Sequence, residues 1–119
     1  MNLLEKTDEE IIKIAEPFWN NLIISSNKKH YSGISRDFSA EMLYGANEIE
    51  IGKQWSTNEL LVNLSSDKTC LGCLRRGSYV SVLYKQTSTK IPGEFLGRLV
   101  LGVEENTICL LYTSPSPRD

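Results

Sequence analysis

The chain has 119 residues, enough for one domain, and its 40% hydrophobic and 24% charged content is that of an ordinary globular protein. A formal net charge of −2 lacks the basic excess that nucleic-acid binding needs, and the basic clusters Lys28-Lys29-His30 and Arg75-Arg76 are short. No run approaches the roughly 18 apolar residues of a membrane helix, and the start Met1-Asn2-Leu3-Leu4-Glu5-Lys6 lacks the basic and apolar blocks of a secretory signal. The expectation is a cytoplasmic protein with neither a nucleic-acid nor a membrane partner.

Helical signals fill the first half. Thr7, with Glu10 three residues on, reads as a capping box, and Asp8, Glu9 and Glu10 load the first turn with negative charge. Ile11, Ile12, Ala15, Phe18, Trp19, Leu22 and Ile23 then recur at helical spacing, so one apolar stripe is predicted. Pro17 interrupts the stripe and predicts a kink or break, because an interior proline loses one ladder bond and crowds the carbonyl of Lys13. The helix fades at Ser25-Ser26-Asn27. A shorter helix is predicted from Lys29 to about Phe38, weakened by Gly33. Ser39 reads as the cap of a further turn over Ala40 to Tyr44, ended by Gly45 and Asn47. Ile49 and Ile51 alternate with Glu50 and read as a short strand. Ser56 or Thr57 reads as the cap of the next helix, with Leu60, Leu61 and Leu64 buried, and Ser65-Ser66-Asp67-Lys68 as a loop.

From Thr69 the period changes from helical to alternating. Strands are predicted over about Thr69 to Leu74, Ser78 to Thr87 and Glu94 to Glu104. A turn is expected at Arg75-Arg76-Gly77, a hairpin loop at Ser88 to Gly93 and a tight turn at Glu105-Asn106, after which Thr107-Ile108 opens a fourth strand. In the second strand Val80, Val82 and Tyr84 share a face. In the third, Phe95, Leu99, Leu101 and Val103 oppose Glu94, Arg98 and Glu104. Gly72, Gly97 and Gly102 read as places where strands bend or pack closely. Helices first and an antiparallel meander second make the class α+β.

Cys70-Leu71-Gly72-Cys73 carries no metal reading. A structural zinc needs four ligands, and the sequence has no second cysteine pair and one histidine. A redox pair normally opens a helix, whereas this one lies in an apolar stretch leading into strands, so both read as buried structural cysteines. No phosphate-cradling glycine loop or Ser-His-Asp arrangement is present, and no cofactor is expected.

The segment Cys109–Asp119 resembles the translation of a transposase mosaic end joined to a sequencing read primer, readable in one frame. The expectation is that Met1 to about Ile108 is one domain lacking its native last strand and that residues 109–119 are an artefactual tail. Cys109 to Tyr112 has a pattern that a fourth strand would accept. Thr113 onward, with Pro115 and Pro117, is expected to fray.

The order of elements over roughly residues 8–108 resembles the nuclear transport factor 2-like superfamily. The local matches are Glu16-Pro17-Phe18-Trp19 in a first helix, a second helix ending at Asp37-Phe38-Ser39, and a helix from about Ser56 before the sheet. The resemblance implies N-terminal helices packed on a curved antiparallel sheet, a cone with a pocket inside. It implies a small-molecule-binding domain that takes a small apolar ligand and pairs as a homodimer through the sheet. Two alternatives stand beside that reading. One is a pocket acid/base enzyme of the ketosteroid isomerase or polyketide cyclase kind, with Asp37 or His30 as base and Tyr44 as donor. The other is a protein-interaction module using the sheet face. Fold alone does not choose among them. Trp19, Trp55 and Tyr44 are the aromatic candidates for the pocket wall. Glu94 and Arg98 are the polar candidates if their strand face is concave, and a solvated pair if it is convex.

Overall fold

The computed structural model describes residues 2–114. Helix α1 spans Asp8–Asn27. Its start is the capping box read from the sequence: Glu10 N–H donates to Thr7 Oγ1 at 3.2 Å, and Thr7 N–H donates to Glu10 Oε1 at 2.9 Å. Ile11, Ala15, Trp19, Leu22 and Ile23 are buried, so the apolar stripe is the packed face. The break expected at Pro17 does not occur, and the helix runs through it. Pro17 and Lys13 are both exposed. The carbonyl deprived of its N–H partner therefore meets water, while buried residues on either side hold the two halves in line.

Helix α2 is a single turn, Tyr31–Ile34, continued by a 3₁₀ turn over Ser35–Asp37. Helix α3, Ala40–Gly45, starts where expected, with Met42 N–H donating to Ser39 Oγ at 3.0 Å. The next two elements correct the sequence reading. Ile49 and Ile51 lie in helix α4, Glu48–Thr57, not in a strand, and Ser56 and Thr57 end that helix instead of capping a new one. Glu50 N–H donates to Asn47 Oδ1 at 3.0 Å, so Asn47 is the cap. Ile51 and Trp55, four apart, are its buried residues. Leu60 and Leu61 fall in a 3₁₀ turn over Glu59–Val62, and Leu64 opens a strand.

Strands β1 Leu64–Arg76, β2 Tyr79–Ser88, β3 Glu94–Glu104 and β4 Thr107–Ser114 form one antiparallel sheet in the order β1-β2-β3-β4. Ser65 to Lys68, expected as a loop, belong to β1. The sheet is curved and open, and the helices cover its inner face, where Val80, Val82, Tyr84, Leu99 and Leu101 are at most 3% exposed. Gly72 has φ of 136° and sits at a break in the β1–β2 register, between Cys70 opposite Tyr84 and Cys73 opposite Val82. This bulge turns both cysteines to the inner face, where strict alternation would have separated them. Both pack against the core and are half-buried, and all three cysteines are free.

The turn at Glu105-Asn106 has φ of 48° and 62°, the twist a two-residue hairpin requires. Cys109 to Tyr112 pair with β3, and Thr113 and Ser114 also pair, opposite Leu99 and Arg98, where fraying was expected. Pairing shows that this alternation suits the edge of β3 and carries no information about origin. Pro115 and Pro117 lie outside the described residues.

Candidate functional site

The inner face of the sheet meets α1, α4 and the Ile34–Phe38 segment around a cavity of about 60 Å³. Its apolar walls are Trp19, Ile23, Ile34, Phe38, Ile51 and Trp55, together with Leu22, Leu61 and Leu64. Ser26, Gln54 and Thr113 are its polar members.

Both indole N–H groups are already used. Trp19 Nε1 donates to Gln86 Oε1 at 2.9 Å, and Trp55 Nε1 donates to Ser26 Oγ at 3.0 Å. Ser26 in turn donates to the Leu61 carbonyl. Gln86 is fully buried, and its Nε2 donates to the carbonyls of Ser65 at 2.6 Å and Thr87 at 2.8 Å. These bonds fix the two rings and leave mainly hydrocarbon facing the cavity. Trp19 is held a third way, by stacking on Tyr84 with centroids 4.6 Å apart and an interplanar angle of 13°.

No lining residue ionises near neutral pH, so the cavity can exclude water and hold an apolar group but cannot move a proton. The residues singled out for acid/base work lie elsewhere. His30 is exposed, with Nε2 2.8 Å from Ser32 Oγ. The Asp37 carboxylate accepts from the neighbouring Arg36 guanidinium at 3.2 Å and 3.4 Å, outside the cavity. Tyr44 is 88% exposed at the end of α3, so it is neither pocket wall nor donor. Its short helix turns Met42 inward and leaves Tyr44 to solvent.

Of the two faces the sequence left open to Glu94 and Arg98, they take the outer, convex one, so neither lines the cavity. Glu94 pairs with Lys85 at 3.3 Å, and the Arg98 guanidinium lies 4.8 Å over the Tyr112 ring. Trp19 and Trp55, by contrast, line the cavity. Gln86 and Ser26 escaped the sequence reading. Gln86 falls in the inward row begun by Val80, Val82 and Tyr84, and that periodicity was the available signal. Ser26 had none, because its partners come from distant elements.

A second polar group sits where the start of α1 meets the end of β1. Asp8 binds Arg75 Nη1 at 2.7 Å, and Arg75 Nη2 also donates to the Lys6 carbonyl at 2.7 Å, which ties the entry of α1 to β1. The Arg75 bond, followed by one from Cys73, holds the Asp8 carboxyl below its ordinary pKa. Burial, followed by the bond to Asp8, pushes the Cys73 thiol up, so this cysteine stays protonated and is a poor nucleophile. Among the described residues no group of three or more His, Cys, Asp or Glu side chains is placed to hold a metal, and no helix is long and apolar enough to cross a membrane.

No protein-family model matches this chain, and neither a curated protein nor a solved structure matches it.

Proposed function

We propose that this chain is a small-molecule-binding domain of the nuclear transport factor 2-like type. Its ligand is a small apolar molecule held between the helices and the inner face of the sheet. The family reading rests on helices followed by a curved four-stranded meander that leaves its cavity under α1. The binding reading rests on one observation: a cavity walled by two tryptophans whose polar atoms are already satisfied. Such a space favours an apolar occupant. An acid/base enzyme has no proton carrier in this cavity.

Xenon under pressure is a probe small enough for this space. Titration into ¹⁵N-labelled protein is expected to shift the indole N–H signals of Trp19 and Trp55 saturably. Trp55→Ala should enlarge the site and change the affinity. An unchanged spectrum at saturating xenon would remove the reading.

A second reading, self-association through the sheet, has an observation of its own. Leu74, Ser81, Val100 and Tyr112 stand directly opposite one another across all four strands. Leu74 is 61% exposed, and Leu96, nearby on the outer face, is 60% exposed. Exposed apolar side chains gathered on one sheet face are what self-association would bury. Sedimentation should find a dimer that Leu74→Glu with Leu96→Glu converts to monomer, and a monomer at high concentration in the parent chain would dismiss it.

A further inference from the structure

The apolar cavity has one side of different character. Every apolar residue of its lining is buried, as is Ser26, whereas Gln54 and Thr113 are half-exposed. The space therefore opens to solvent between these two, and its mouth is polar but uncharged. Local geometry turns both side chains that way. Gln54 stands three residues after Ile51 in α4, on the helix face that packs inward. Thr113 stands opposite Leu99, which is fully buried on the inner face, and residues directly opposite across two strands share a face. The Ser26 hydroxyl is already spent between Trp55 and the Leu61 carbonyl. Among the described residues, no hydrogen bond engages the Gln54 amide or the Thr113 hydroxyl.

We propose that the ligand of this cavity is a neutral amphiphile, with a short alkyl group inside and a primary amide or hydroxyl head at the mouth, hydrogen-bonded to Gln54. The inference rests on the reading of the cavity as a ligand site and adds a head group to the apolar ligand. Three features select the class. The volume of about 60 Å³ is the share of about two waters, so only a short alkyl group enters. The lining carries no charged residue, so a carboxylate or ammonium head would give up water without meeting an opposite charge. A glutamine amide has both a carbonyl acceptor and NH₂ donors, and it pairs with a head that has the same two functions. Gln54 alone supplies both, so the assignment does not depend on which residue stands at 113.

Propionamide and propionate share one shape and differ in charge. Added to the ¹⁵N-labelled full chain, propionamide is expected to shift the indole N–H signals of Trp19 and Trp55 and the side-chain NH₂ signals of Gln54 saturably. Propionate should bind at least tenfold more weakly, a comparison that decides even if no variant folds. Gln54→Leu removes the partner of the head at similar bulk, and should weaken propionamide at least fivefold. Gln54→Glu keeps the shape, adds a negative charge, and should make propylammonium the preferred probe over propionamide. Xenon, which has no head group, tests the cavity alone. If xenon shifts the tryptophans while propionate matches propionamide, or while Gln54→Leu binds propionamide as well as the parent chain does, the proposal is overturned and the cavity reading stands. If xenon shifts nothing, the cavity reading fails and the proposal with it.

Discussion

At the scale of single residues, the Trp19 contacts explain why one glycine has no substitute. A Cβ built on Gly97 would lie 2.5 Å from Trp19 Cζ2. Trp19 cannot yield, because Gln86 holds its N–H and Tyr84 holds its face. Gly97→Ala is therefore expected to cost about 1–3 kcal/mol, the range for overpacking a tight core, as read by urea denaturation. Gln86→Leu conserves the bulk but strands the Trp19 N–H and two carbonyls. A loss of about 2–4 kcal/mol is expected, from buried polar groups left unpaired. A loss well below 1 kcal/mol would show that water reaches these groups.

At the scale of elements, two local strains are removable. Pro17 lies inside α1, on its exposed side. Pro17→Ala restores one helical hydrogen bond and should stabilise the chain by about 1–3 kcal/mol, seen as a higher midpoint of thermal unfolding by circular dichroism. Glu105 takes positive φ in the β3–β4 turn, a conformation that asparagine tolerates better. Glu105→Asn should add roughly 0.5–1 kcal/mol. Unchanged or lower stability would mean that the Glu105 side chain has a role beyond the turn.

For the whole molecule, the pH range of stability follows from groups whose pKa changes on folding. The Asp8 carboxyl is held low by Arg75, and the Glu10 carboxyl is held low by the Thr7 backbone and side chain. Each contributes stability above its unfolded pKa near 4, lost as pH falls through the lower folded value. On the alkaline side, Tyr84 and Cys73 are raised, chiefly by burial. Their unfolded forms ionise first, so stability is complete below about pH 8 and declines as pH rises through about 8.5 for the thiol and about 10 for the phenol. Denaturation midpoints across pH should trace a plateau with two shoulders. Asp8→Asn should flatten the acid shoulder, and Tyr84→Phe the alkaline one. An alkaline shoulder unchanged in Tyr84→Phe would mean that its hydroxyl reaches water.

What the sequence alone determined is local. Thr7 and Ser39 cap where they should because the bond joins residues three apart. The meander was legible because alternation over 10 or 11 residues, as in β2 and β3, has no helical counterpart. Ile49 and Ile51 misled because a spacing of two fits one pleated face as well as one edge of a helix. The Asn47 cap and the Ile51–Trp55 pair were the better signal. Residues 65–68 look like a loop, and it is the pairs Leu64 with Ser88 and Lys68 with Gln86, on either side of a break in register, that carry β1 through them. The site belongs to the tertiary structure for the same reason. Which tryptophan lines a cavity, which face Glu94 and Arg98 take, and which hydroxyl is left unpaired depend on how separate elements meet, as Trp55 meets Ser26 across 29 residues and Trp19 meets Gln86 across 67. Periodicity states that a face is apolar. It does not state what packs on that face, or where the packing leaves a gap.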